Sequence, residues 1–257
     1  MWLAYPGATR VVLPYDDFLN HVGPNATWTN ATTIDVACDF VAAGHSQPFY
    51  LEIGLDDTHH HWWDRILPDS EALFGPIDQR GQRSLPGHPD LPETRGETAL
   101  FRNAVRYMDH RVGQLLAAID SAGLRESTLV IVTTDHGPGL PDMKCHLNED
   151  GLGVFMMMRG PGIPVGREVD ALVSHMDLFP TICGALGGVA PAPVAGYDLG
   201  PVLRGEVTEV RQQVFSEQTY HGMAKALRGV RTHEHSYVRA LLRSHRCRHG
   251  YRWRGHC

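Results

Sequence analysis

From residue 98 to residue 122, Phe101, Ala104, Val105, Met108, Val112, Leu115, Leu116 and Ile119 recur at helical spacing, and Gly123 stands where a C-terminal cap would sit. Immediately afterwards, Ser127-Thr-Leu-Val-Ile-Val-Thr-Thr134 is a β-branched apolar run of the kind that forms a strand covered on both faces. Upstream, Pro48-Phe-Tyr-Leu-Glu-Ile-Gly54 reads as a buried strand that stops at a glycine. A strand, a long amphipathic helix and a second apolar strand, in that order, predict a βαβ crossover and with it a doubly wound α/β core.

The remaining elements are arranged around that unit. Ile34, Ala37, Cys38 and Val41 share one face of a short helix expected over 33–43. Residues 55–97, rich in Pro, Gly, Asp and His, are expected to form a long loop with functional potential. Val154-Phe-Met-Met-Met158 reads as a third strand, and a short helix is expected over 178–186, with Pro180 tolerated in its first turn. Segments 214–216, 228–231 and 236–239 suggest a small antiparallel sheet near the end. Residues 1–30 have no clear periodicity. Residues 243–257, with Arg, His, Trp, Gly and Cys and almost no aliphatics, form an irregular basic tail.

Composition excludes several classes. The 257 residues are 42% hydrophobic, enough for one large α/β domain with at most a small appendage, and the chain reads as a soluble globular protein. No run approaches the ~18 apolar residues of a membrane span. A formal net charge of −6 gives no general attraction to nucleic acid. The first ten residues lack the basic start and apolar core of a secretory signal; the compartment stays open, because an export signal would lie upstream. Five cysteines, Cys38, Cys145, Cys183, Cys247 and Cys257, form no C-x-x-C pair, which argues against both a disulfide framework and a thiolate zinc site.

Chemistry concentrates at the ends of the expected strands. Thr133-Thr134-Asp135-His136-Gly137 follows the best strand, and ligands in open α/β sheets gather at carboxyl ends of strands. Asp135 offers a hard oxygen and His136 a nitrogen to one cation, although an aspartate there also suits a turn cap. Lys144 is one of only two lysines beside 21 arginines; its compact ammonium suits a tetrahedral oxyanion, and equally a solvated loop. His59, His60 and His61 follow the strand ending at Gly54. Neighbouring side chains diverge, so one or two of them could enter a cleft as acid or hydrogen-bond donor, with Trp62 and Trp63 as an apolar wall. An exposed polar loop is the other reading.

Taken together, these pieces resemble the sulfatases of the alkaline-phosphatase superfamily, in particular the heparan N-sulfatase-like and iduronate-sulfatase-like enzymes. Pro48-Phe-Tyr-Leu-Glu-Ile-Gly-Leu-Asp-Asp-Thr-His59 is similar to their PFFL…G…TH strand and loop. Residues 123–137 are similar to GL.D.TLVIFTSDHG, and residues 143–162 to K..LY..G..VPLI.R.PG. Ser174-His-Met-Asp-Leu-Phe-Pro-Thr181 is similar to SH.DL.PT, and residues 196–205 to G.SL.PLL.G. The resemblance runs from about residue 33 to 240, with the five motifs in order.

The resemblance implies an alkaline-phosphatase-like α/β/α sandwich, here partial, with a small C-terminal antiparallel sheet. It makes residues 1–205 the C-terminal portion of a sulfatase catalytic domain, 206–242 a small β-rich subdomain and 243–257 the basic tail. It implies that Asp135 and His136 bind a divalent metal, expected to be calcium, that Lys144 contacts sulfate oxygens, and that His59 contacts the sulfate or protonates the leaving group. The expected partner is a sulfated small molecule or glycan, with neither nucleic acid nor membrane.

The departures are equally specific. Sulfatases make formylglycine from Cys or Ser in C/S-x-P-S-R, and no cysteine or serine here has that context. The Asp-Asp pair that completes the family's metal site is also missing; Asp16-Asp17 lacks the preceding strand. The chain is therefore expected to be truncated and inactive alone, its formylglycine belonging to an N-terminal half that is absent. Two alternatives are a phosphoester or phosphonate hydrolase of the same superfamily, and a non-catalytic module that binds sulfated glycans.

Overall fold

Ile34, Ala37 and Val41 lie three and four residues apart, which places them on one helical face. The computed structural model describes residues 30–60, 63–78, 82–221 and 223–241, and sets these side chains in α1, Asn30–Ala42, at no more than 3% exposure. Expectations for Asp16, Asp17, His61, Trp62, Cys247, Cys257 and the tail lie outside the described residues. The described residues fall into two compact units that divide between Glu126 and Ser127.

In the first unit, α1 packs on the long helix α3, Pro92–Ser121. This helix begins earlier than the residue 98 that periodicity suggests. Pro92 sits in the first turn, where its missing N–H is no loss, and Thr94 Oγ1 accepts the Leu91 amide at 3.1 Å. The Arg95 guanidinium bound to Asp90 holds that carboxyl down at about 2. The helix leaves through Gly123, φ 72°, as expected. Its buried stripe is Thr98, Ala99, Asn103, Ala104, Tyr107 and Ile119, whereas Val105, expected inside, is exposed. The stripe turns toward Asn103 because the buried Ser70 hydroxyl donates to Asn103 Oδ1 at 2.6 Å.

That serine belongs to a helix the sequence hid. α2, Trp63–Phe74, occupies part of the expected 55–97 loop and packs on α3. Its inner face is Trp63, Ile66 and Ser70, at helical spacing but one-third polar, and Pro68 within it reads as a breaker. Residues 48–54, in contrast, form no strand. A strand exists only through a partner, and within this unit none of the described residues supplies one.

In the second unit, β1 (Val130–Thr133) pairs antiparallel with β2 (Met156–Arg159), with Val130 opposite Arg159 and Thr133 opposite Met156. The expected βαβ crossover is therefore not formed among the described residues, and β1 is half-buried rather than covered on both faces. Between these strands lies the one-turn helix α4, Glu149–Leu152. A 3₁₀ turn, His175–Asp177, leads into α5, Leu178–Ala185, with Pro180 in its first turn as expected. After α6, Gly200–Arg204, comes the C-terminal sheet: β3 (Val214–His221), β4 (Met223–Arg231) and β5 (Ser236–Ala240), all antiparallel in the order β3–β4–β5. The architecture is thus mixed α/β with a small C-terminal antiparallel sheet. No helix among the described residues is long and apolar enough to cross a membrane.

Candidate functional site

β1 stops where its residues change from β-branched apolar to polar, and two hydroxyls extend its ladder beyond the last paired residue. Thr133 Oγ1 donates to Phe155 O at 2.8 Å, and the Phe155 amide donates to Thr134 Oγ1 at 3.1 Å. The next two residues are Asp135 and His136, both on the accessible side of the turn. The His136 amide donates to Asp135 Oδ1 at 3.1 Å, and His136 Nδ1 lies 2.6 Å from Gly137 O. A carbonyl only accepts, so Nδ1 carries a ring proton and donates it there. Nε2 faces Asp135 Oδ2 at 3.4 Å. Two donors that close, one oxygen and one nitrogen, can reach one divalent cation.

Gly137 allows this turn to close. Its amide donates to Gly151 O at 3.1 Å, and a β-carbon on it would stand 1.7 Å from Asp150 O. Only glycine permits the Asp135–His136 turn and the α4 turn to touch.

Lys144 lies in the intervening loop, its amide donating to Pro138 O at 3.1 Å. Left-handed residues flank it, Asp142 at φ 59° and Cys145 at φ 69°. Aspartate accepts that conformation readily; a cysteine there marks a loop whose path is set by its surroundings. Asn148 supplies part of that setting: its Oδ1 caps α4 through the Gly151 amide at 3.0 Å, and its Nδ2 donates to Asp142 O at 2.8 Å. The sequence reading gave Asn148 no role, although Asn followed by Glu-Asp is an N-cap signal. It likewise gave none to Thr133 and Thr134.

His59 belongs to the first unit. Its amide donates to Asp56 O at 2.9 Å and its Nδ1 lies 2.8 Å from His60 O, so Nδ1 again carries the proton. The turn is tied to α2 by Trp63, whose Nε1 donates to Thr58 O at 3.2 Å and whose ring meets His60 edge-on. Trp63 is 4% exposed against Phe101, so it is a core residue and not the expected pocket wall. The structure thus brings Asp135 and His136 together, with Lys144 on the adjoining loop, and builds His59 into a separate turn. Among the described residues no group of three or more His, Cys, Asp or Glu is placed to hold a metal.

Residues 9–189 match the family model for Sulfatase. The chain belongs to the sulfatase family. This sulfatase is 35% identical to the steryl-sulfatase of Rattus norvegicus over 45% of its own length and 24% of that relative. It is 32% identical to human arylsulfatase K over 63% of its length and 36% of that chain. It is 29% identical to an endo-4-O-sulfatase of Bacteroides thetaiotaomicron, over 64% and 34%. Each alignment therefore covers well under half of the curated relative. Among solved structures, a Bacteroides thetaiotaomicron protein assigned to the sulfatases superposes with a TM-score of 0.58 at 19% identity, over 86% of this chain and 57% of that one. A second, solved with its substrate D-glucosamine-2-N,6-O-disulfate, gives a TM-score of 0.52 at 21% identity, over 57% and 32%. At such identities the likeness speaks for the fold alone.

Proposed function

We propose that this sulfatase serves hydrolysis of sulfate esters or N-sulfates, with a sulfated small molecule or glycan as substrate. Residues 1–205 would form the C-terminal portion of the catalytic domain, 206–242 its small β-rich subdomain and 243–257 a basic tail. The observation that carries the reading is the 3.4 Å approach of Asp135 Oδ2 and His136 Nε2 at the carboxyl end of β1, with the imidazole proton engaged on the opposite nitrogen.

In this reading Asp135 and His136 hold a divalent cation, expected to be calcium. Bound there, the cation supplies positive charge against the oxygens of the transferring sulfuryl group. Lys144 adds a point charge to the same oxygens. His59 would contact the sulfate or protonate the leaving group. Because its Nδ1 proton is used on His60 O, it can donate from Nε2 only as the imidazolium. The nucleophile would be the family's formylglycine, made from a C/S-x-P-S-R motif that these 257 residues do not contain.

Calorimetric titration of the full chain with calcium tests the site. Asp135→Asn and His136→Ala should each weaken binding ~10-fold or more, while Lys144→Ala should spare calcium and weaken sulfate. Calcium affinity that survives the double Asp135→Asn, His136→Ala change would place the cation elsewhere. Aryl sulfate turnover is expected to be absent; turnover lost on Lys144→Ala would reveal a nucleophile within the chain.

A further inference from the structure

His175 stands 42 residues from Thr133 in sequence, yet its Nε2 lies 3.3 Å from Thr133 Oγ1. Thr133 is the last residue of β1, two before Asp135. Its hydroxyl proton is committed to Phe155 O, so toward the imidazole it can only accept, and His175 donates from Nε2. Phe155 O takes a second bond, from the Thr134 amide at 3.2 Å. One carbonyl of the chain entering β2 and one histidine therefore fix the point from which the Asp135–His136 turn departs.

The histidine is delivered from an element held on several sides. Ser174 and Asp177 close a capping box around the 3₁₀ turn, with the Ser174 amide donating to Asp177 Oδ2 at 2.7 Å. The Tyr197 amide donates to Asp177 Oδ1 at 2.9 Å, and Arg211 Nη1 to Asp177 Oδ2 at 2.6 Å. Gly196 lies so close that a β-carbon on it would overlap Met176 O at 1.9 Å. Thr133 itself is solvent-exposed. A hydrogen bond between an exposed hydroxyl and a half-buried ring adds local order more than global stability.

We propose that His175 is a positioning residue for the cation-holding turn: through the Thr133 hydroxyl it fixes the carboxyl end of β1 and so the mutual placement of Asp135 and His136. This rests on the reading of those two residues as cation ligands. It adds a residue of the SH.DL.PT segment to the site as a support that does not touch the cation.

The test uses the full chain, with calcium affinity by calorimetry, amide exchange over residues 133–137 without calcium, and the melting temperature. His175→Ala should raise the calcium Kd roughly 10-fold, speed exchange in that segment and leave melting unchanged. Thr133→Val, which also removes the bond to Phe155 O, should cost at least as much, and the double change no more than Thr133→Val alone. His175→Gln, which keeps an N–H donor at similar reach, should restore most of the affinity. Unchanged exchange and affinity in His175→Ala would overturn the proposal. So would a loss that tracks the melting temperature and is not rescued by glutamine. If the unaltered chain binds no calcium, the ligand reading itself fails, while the exchange measurement still decides whether His175 orders the turn.

Discussion

Arg211 and Asp177 form a two-pronged ion pair in which the carboxylate is completely buried and the guanidinium nearly so. Arg211 also donates to Leu172 O at 3.1 Å and lies 4.7 Å over the Tyr197 ring. Asp177 accepts from the Ser174 and Tyr197 amides besides, so each lone-pair direction of the buried carboxylate is used. The pair clamps the segment just before β3 onto the start of α5. Removing one partner leaves an uncompensated buried charge, so Arg211→Ala should cost about 3–5 kcal/mol in urea unfolding. Arg211→Lys should recover only part of that, because an ammonium cannot match both oxygens. A loss under ~1 kcal/mol for Arg211→Ala would show that water reaches the carboxylate.

The same pair makes stability acid-sensitive. Burial alone would raise the Asp177 carboxyl, but Arg211 and the two amides outweigh it and hold it below its ordinary value of 3.8. A depressed carboxyl contributes stability that is full above the unfolded value and is lost as pH falls through the folded one. Unfolding free energy should therefore hold steady down to about pH 4 and fall below it. Asp177→Asn should flatten that fall while lowering stability at neutral pH, a comparison that denaturant melts from pH 2.5 to 7 would make.

Gly137→Ala should disrupt the turn that carries Asp135 and His136. The added carbon meets a backbone oxygen at 1.7 Å, and backbone cannot rotate out of the way as a side chain can. The expected cost is at least ~2 kcal/mol, with calcium affinity lost in proportion. Gly123→Ala meets no atom and strains only φ, so it should cost ~1 kcal/mol and leave the affinity intact.

Trp63→Ala should cost about 3–5 kcal/mol, as expected for a buried aromatic packed on Phe101 and His60. It also removes the bond to Thr58 O that ties down the turn of His59. Faster amide exchange over residues 56–60 should accompany the loss. Trp63→Phe, which keeps the packing but not the donor, should separate the two effects.

The two-stranded β1–β2 sheet presents Met157 at 59% exposure, and Phe155, just before β2, is 46% exposed. Unpaired edges with exposed apolar side chains favour self-association. The 257-residue chain should elute above its 28.5 kDa monomer mass in a concentration-dependent way, and Met157→Lys should shift it toward monomer. A sharp, concentration-independent monomer peak would contradict this.

How much of this was legible in advance depends on the reach of each signal. Ile34, Ala37 and Val41 announced α1, and Gly123 the end of α3, because helical spacing and a left-handed glycine are written within a few residues. The turn Asp135-His136-Gly137 was placed correctly for the same reason: a β-branched run ends and polar residues follow. Trp63 was misjudged because an aromatic beside histidines looks the same in a core as in a pocket. α2 was missed because Ser70, polar and fully buried, and Pro68 blurred its pattern.

By itself, then, the sequence determined the sulfatase membership, the helix faces and the residues that stand together by chain adjacency. Tertiary structure alone decided that 48–54 forms no strand among the described residues, that β1 meets β2 antiparallel, that Ser70 satisfies Asn103, and that His175 and Arg211 reach Thr133 and Asp177 across 42 and 34 residues. The reason is physical. A helical face repeats every few residues and can be read locally, but a hydrogen bond or ion pair needs a partner whose arrival depends on how the intervening chain folds.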